Sequence, residues 1–234
     1  MRKICICAGI LLFSFVCITA RAQIVVALLF GDKLNSGKME FGLTVTPGFT
    51  SMTNESGEAK SSFNLGLYFN IRPDRKLFLH LELVGKGAFG QKNIIPYATG
   101  NDTLDHLFAE GSIERKIQVF SMPVLARYRL DKLFYAEAGM QVNMRLKVKD
   151  IFHAKPEGGD LDYTINATKN FTLLDFGVNA GLFYKFSDTK KSMGIGLRYF
   201  YGLTDVYKTK DGTQANTAFL INVTIPVGTS KAQK

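Results

Sequence analysis

The stretch FYAEAGMQVNMRLKV, Phe134 to Val148, constrains the fold more than any other part of the chain. Its even positions are all apolar: Phe134, Ala136, Ala138, Met140, Val142, Met144, Leu146 and Val148. The odd positions carry Tyr135, Glu137, Gly139, Gln141, Asn143, Arg145 and Lys147. Period-two alternation marks a strand with one apolar and one polar face. Strands of soluble domains average about 5–6 residues, so an apolar face this long needs an apolar surrounding that a small soluble core does not supply.

The pattern recurs along the chain. It is present over 63–71, 77–84, 175–186, 193–203 and 219–227, and in a first strand over 39–46. Over 116–128 the parity changes, because Ile117 and Val119 favour one face and Met122, Val124, Ala126 and Tyr128 the other; a bulge near Phe120–Ser121 reconciles them. Eight strands result. Tight turns are expected at 72–75, 129–132 and 187–191, alternating with long polar connections near 50–61, 91–113, 150–169 and 205–215. No helical pattern lies between strands, which indicates an antiparallel meander.

Two architectures fit eight long antiparallel strands. A lipocalin-like barrel turns its apolar face inward onto a ligand and its polar face to water. A membrane barrel turns its apolar face to lipid. The polar faces here carry Gly66, Gly139, Gly177, Gly181, Gly194, Gly196 and Gly202 with Asn, Gln and charges of both signs. That composition suits a crowded lumen rather than a solvated surface, where Lys and Glu would dominate. The expected fold is therefore all-β: an eight-stranded antiparallel up-and-down transmembrane β-barrel with a polar lumen. In such barrels the short turns face the periplasm, which puts both termini there. Phe69, Phe78, Tyr128, Phe134, Tyr184 and Phe186 are then expected at the periplasmic rim, and Tyr199 and Tyr201 in the outer half.

The N-terminus is consistent with that destination. Arg2 and Lys3 precede an apolar run over 4–19, and Ala20-Arg21-Ala22 provides a cleavage site before Gln23, as in a secretory signal peptide. The expected organisation is a signal over 1–22, a periplasmic or lumenal segment over 23–38, the barrel over 39–228 and a tail over 229–234. The apolar run 24–30 is expected to fold back onto the periplasmic mouth or lumen. Cys5, Cys7 and Cys17 all lie in the signal, so the barrel has no disulfide, thiol nucleophile or Cys-based metal site. Residues 1–22 hold three basic side chains and no acid, so the +9 of the whole chain becomes +6. This balance suits outer-membrane lipid and lipopolysaccharide, and no nucleic-acid motif accompanies it.

Several segments in order, LLFGDKLNSGKMEFGL (28–43), SMPVLARYRL (121–130), FYAEAGMQV (134–142), LLDFGVNAGLFYKF (173–186) and LRYFYGLTDV (197–206), resemble the Bacteroidota porin-family, or PorT-like, outer-membrane β-barrel proteins. The resemblance implies an eight-stranded outer-membrane barrel inserted by the barrel-assembly machinery, and for most members no assigned activity. The chain departs from many barrels in its ending, IPVGTSKAQK, with Phe219 its last aromatic residue.

No catalytic, cofactor-binding or metal site is expected. A barrel enzyme would need a nucleophile and a base within reach. His80 and Glu82 share a lumen face, but no Ser or Asp is spaced to complete a relay with them, and His106 and His153 fall in loops. EGGDLD (157–162) lacks the ligand spacing of a calcium loop; DTL (102–104) matches a short O-glycosylation pattern. The lumen charges are more informative. Glu82, Glu137, Arg145, Asp175, Lys185 and Arg198 are expected to form an inward network, with Asp175 paired to Arg145. Eight strands leave an interior that side chains just fill, so a plugged barrel follows. The expected role is a non-enzymatic envelope scaffold or surface-loop interaction protein with an envelope protein partner. An accessory role in protein export, a narrow solute channel and a lipid-modifying enzyme are the alternatives.

Overall fold

A computed structural model of the chain describes residues 38–73, 75–155, 159–189, 191–208 and 212–227. The expected signal peptide (1–22), the 24–30 segment and the expected C-terminal tail lie outside the described residues. Among the described residues nine strands form: β1 (Met39–Met52), β2 (Glu58–Ile71), β3 (Leu77–Ile94), β4 (Ser112–Arg129), β5 (Phe134–Ala154), β6 (Leu161–Asn166), β7 (Leu174–Lys185), β8 (Gly194–Gly202) and β9 (Asn216–Pro226). Eight of them close into an antiparallel ring in the order β1-β2-β3-β4-β5-β7-β8-β9, sealed by the pairing of β1 with β9. Closure leaves no edge inside an apolar layer, where an unpaired backbone group costs several kcal/mol. β6 stays outside the ring and pairs only with the top of β5, from Lys149↔Asn166 to Ala154↔Leu161.

The outer face is the apolar one. Phe134, Met140, Leu182, Leu197 and Leu203 are each more than half exposed, while Tyr68, His80, Glu82, Arg127, Glu137 and Arg198 point inward and are almost fully buried. Glycine makes room for the inward rings. A Cβ on Gly177 would sit 2.4 Å from the Phe200 ring, and one on Gly42 would sit 2.5 Å from the Tyr68 ring.

Several expectations about the long-loop end change. β1 to β5 run further than their alternation indicated, so the first long connection shrinks to residues 53–57. The second contains a seven-residue helix, α1 (Asp102–Phe108), capped by Asn101, whose side chain accepts from the amides of Thr103 and Leu104. The third folds into β6 and a short 3-10 turn, Thr168–Asn170. The parity change in β4 is no bulge: its odd positions point inward without interruption from Ile113 to Arg127. Ile117 and Val119 are apolar lumen residues.

The bulges lie on the neighbouring strands. On β5 the register passes from Gln118↔Lys147 to Val119↔Arg145, so Leu146 is the extra residue. This swaps the faces of β5 above it: Val148, Asp150 and Phe152 point inward and are fully buried, and Lys147 and Lys149 point out. The unbroken lipid face of 134–148 therefore ends below Val148. On β3 the register with β4 passes from Val84↔Ser121 to Gly87↔Val119, a similar insertion. Phe78 is also corrected. It is 7 % exposed and packs inward against Tyr135, with ring centroids 5.8 Å apart, near Phe183.

Candidate functional site: the filled lumen and its cap

From the short-turn end upward, the lumen is built in layers. Phe78, Tyr135 and Phe183 form the lowest one, and the Arg127 guanidinium stacks 3.9 Å from the Phe183 ring centroid. Above them runs a continuous charged chain. Arg127 Nε donates to Glu137 Oε2 at 2.7 Å, Arg198 Nε donates to Glu137 Oε1 at 2.8 Å, and Arg198 Nη2 donates to Glu82 Oε1 at 3.0 Å. Glu82 Oε1 also lies 2.7 Å from His80 Nε2, and His80 Nδ1 lies 2.6 Å from Asn70 Oδ1. Asn70 Nδ2 and Tyr68 OH then both donate to Glu40 Oε1. These side chains come from six strands, so the chain of bonds ties the wall together across its interior. Buried charges persist only when paired and hydrogen-bonded in this way.

The next layer is neutral apart from Asp175. Its carboxylate accepts from Asn143 Nδ2 (3.1 Å), Asn216 Nδ2 (2.9 Å) and Thr204 Oγ1 (2.9 Å). Asn143 in turn accepts from Gln141, and Gln141 from Asn179.

Higher still the lumen is apolar. Met52, Phe89, Ile117, Val119, Val148, Phe200, Ala218 and Leu220 converge with Phe171 and Val206, which the two last long connections lower into the mouth. Those connections are joined by a bridge between Phe171 and Tyr207 and by the Thr172 amide donating to the Val206 carbonyl. Arg115 closes the top. Its Nε and Nη2 form a bidentate pair with Asp150, both bonds 2.8 Å, and its Nη1 donates to Glu55 at 3.0 Å. The guanidinium lies over the rings of Phe171 and Tyr207, and Tyr97 OH donates to Asp150 Oδ2. Burial, reinforced by the Asp150 charge, pushes the Tyr97 phenol well above its ordinary range. Burial likewise pushes Tyr207 up to about 12, against the pull of Arg115. Both phenols stay protonated at any ordinary pH.

Of the six charges named from the sequence, the structure brings three together: Glu82, Glu137 and Arg198. Asp175 and Arg145 do not pair, which corrects the expected partnership. Asp175 lies opposite Asn143, and Arg145 Nε donates instead to the Thr172 carbonyl at 2.9 Å. Lys185 sits at the short-turn rim, where Nζ donates to the Thr189 carbonyl. Sequence reasoning passed over Arg127 and Arg115, although a strict parity rule along β4 places both inward. It could not have found Asp150, whose face is set by the Leu146 bulge. Glu40, Tyr68 and Asn70 were missed because nothing local distinguishes them from other polar lumen residues.

The remaining candidate motifs have structural roles. Both ring nitrogens of His80 are engaged, by Asn70 and Glu82. His153 sits between Asp162 and Glu114 at the surface. Asp102, Thr103 and Leu104 open α1, with Thr103 exposed. Of EGGDLD, Glu157 and Gly158 lie outside the described residues, and Asp160 faces Lys155 at 3.5 Å. Among the described residues no group of three His, Cys, Asp or Glu side chains could hold a metal ion. No described helix is long and apolar enough to cross a membrane.

Solved structures with a related shape include outer-membrane barrels and an autotransporter translocator domain. Ail of Yersinia pestis, crystallised with the heparin analogue sucrose octasulfate, is 11 % identical, with 81 % of this chain and 98 % of that chain covered and a TM-score of 0.40. Neisserial surface protein A is 12 % identical, covering 81 % and 97 %, with a TM-score of 0.41. OprG of Pseudomonas aeruginosa is 11 % identical, covering 80 % and 91 %, with a TM-score of 0.32. No curated protein matches the sequence. The family model for the outer membrane protein beta-barrel domain matches residues 31–208, and the chain belongs to that family.

Proposed function

We propose that this protein is an integral outer-membrane barrel with a closed lumen. It acts as a non-enzymatic envelope scaffold whose work is done by its outer end. One observation carries the reading: Arg127, Glu137, Arg198, Glu82 and His80, each 3 % exposed or less, cross-brace the lumen, and the apolar layer with the Arg115–Asp150 pair seals it above. Such a cross-braced interior supports a structural role over that of a channel or an active site. By contrast, β3 to β6 rise beyond the ring as a projecting wall. Its inner face is covered by α1 through Phe108, which packs with Ile94, Ile113, Phe152 and Ala154. A rigid wall of this kind suits contact with an envelope partner. Since short turns face the periplasm in this class, the wall stands outside the cell, the termini inside, and residues 1–22 are removed on export.

Planar-bilayer recording tests the closed lumen, and surface labelling of a cysteine placed at Thr103 in intact cells tests the orientation. The expected results are no steady conductance and ready labelling. Steady ohmic conductance would instead support the solute-channel reading. An accessory role in protein export is the second reading. Loss of secreted cargo in a deletion strain, without general envelope stress, would move the assignment there.

A further inference from the structure

The outer face of the projecting wall carries a basic cluster that folding alone does not account for. Lys116 on β4 lies directly opposite Lys149 on β5, and Gln118 directly opposite Lys147. Lys86 on β3 sits diagonally from Gln118, since Ala88 is the Gln118 partner. All four lysines are exposed. Like charges directly opposite on neighbouring strands destabilise a sheet. Lys116 is partly offset by Glu114 at 3.4 Å. For Lys86, Lys147 and Lys149 no carboxylate lies within ion-pairing distance among the described residues, and Lys86 rests over the Phe63 ring.

Their height and direction select a partner. The apolar band on this side ends at Met122, Phe120, Met144 and the exposed Leu146 of the bulge. Measured along β4, where Phe120, Gln118 and Lys116 are the partners of Met144, Lys147 and Lys149, with about 3.4 Å per residue and a strand tilt near 40°, the two lysines stand roughly 5 and 10 Å above Met144. The lysines also point sideways from the barrel wall rather than up from its mouth, because they share the outward face with Met144 and Met122. What lies beside that wall at that height is the headgroup layer of the outer leaflet.

We infer that Lys86, Lys116, Lys147 and Lys149 form a binding face for the phosphorylated headgroup of an outer-leaflet glycolipid of the lipopolysaccharide type. Its acyl chains lie along the apolar band below. The Leu146 bulge is part of the device: it turns Lys147 and Lys149 outward and the intervening Val148 inward. This assignment rests on the outer-membrane placement proposed above and names the lipid partner of that same wall.

The test uses the purified full chain folded in neutral detergent, titrated with lipopolysaccharide, dephosphorylated lipopolysaccharide and a sulfated polysaccharide. Thermal unfolding is followed by circular dichroism, since the chain has no tryptophan. Lipopolysaccharide should raise the unfolding temperature of the native protein and bind the K116Q/K147Q/K149Q variant at least tenfold more weakly. The corresponding arginine variant should keep its binding, and dephosphorylated lipopolysaccharide should bind no better than the glutamine variant does. Heat-modifiable migration of the glutamine variant confirms that it folds. Equal lipopolysaccharide affinity for native and glutamine proteins overturns the inference, as does equal affinity for the dephosphorylated form. If the lysines matter only for the sulfated polysaccharide, the partner is an acidic polymer and the lipid assignment is wrong. The assay needs no cell, so its failure is separate from failure of the conductance and labelling experiments.

Discussion

Glu137 on β5 holds Arg198 on β8 across the lumen, Nε to Oε1 at 2.8 Å, although β7 stands between their strands. The other oxygen of the same carboxylate holds Arg127 on β4. One side chain thus joins two strands that the backbone ladder does not connect directly.

Removing it should be costly. Glu137→Ala leaves two buried guanidinium groups short of a partner, and breaking a buried pair from one side costs about 3–5 kcal/mol. Arg198 retains Glu82, whereas Arg127 loses its only described ion pair. Urea unfolding in lipid vesicles should show the loss, and Arg127→Met in the Glu137→Ala background should recover part of it. No recovery would mean that Arg127 is accommodated by the Phe183 ring alone.

The carboxylate of Asp175 is held by neutral donors, so its coupling should follow them. A double-mutant cycle between Asp175→Ala and Asn216→Ala should show interaction beyond the additive limit. The cycle between Asp175→Ala and Arg145→Ala should be additive within about 0.5 kcal/mol. Asp175→Ala alone should cost about 1–3 kcal/mol, the penalty for stranding buried donors. Strong coupling to Arg145 would contradict the hydrogen bonds seen here.

The Leu146 bulge makes opposite demands on two valines of one strand. Val142→Arg puts a charge on the lipid face and should cost about 2–4 kcal/mol near the midplane. Val148→Arg puts a charge among Phe171, Ile117 and Val119, where it meets no partner, and should unfold the upper lumen. Lys149→Val, on the outer face beyond the band, should be nearly neutral for folding, within about 0.5 kcal/mol. Comparing the three by heat-modifiable migration and vesicle unfolding checks the change of face. If Val148→Arg behaves like Lys149→Val, the bulge is misplaced.

Acid should loosen the α1 loop before the barrel. Asp105 accepts from the amide and hydroxyl of Thr99, and these bonds hold its carboxyl below the ordinary aspartate range. A depressed folded-state pKa contributes stability that is fully present above the unfolded value of about 3.9 and is lost as pH falls through the lower folded value. Proteolysis or hydrogen exchange within 95–111 should therefore rise below about pH 4. Asp105→Asn should show raised exchange already at neutral pH. An Asp105→Asn loop as protected as the native one at pH 7 would remove the carboxylate from this role.

Long antiparallel strands with apolar faces directed at lipid are legible in the residue order alone. Alternation is a local property, and at Phe134 to Met144 or Ile195 to Leu203 it needs no tertiary context. Glu82, Glu137 and Arg198 were legible as lumen residues for the same reason. Which side chains meet inside the lumen depends on the closed ring. Asp175 and Arg145 share the polar parity, yet a single extra residue at Leu146 and the arrival of Thr172 from a loop send Arg145 elsewhere. Ile117, Val119 and Val148 broke the expected pattern because Phe171 and Val206, distant in sequence, make an apolar layer where a polar lumen was expected. Parity follows from backbone geometry along one strand. Register, bulges and the burial of loop residues follow from closing eight strands at once, and that closure is a property of the whole ring.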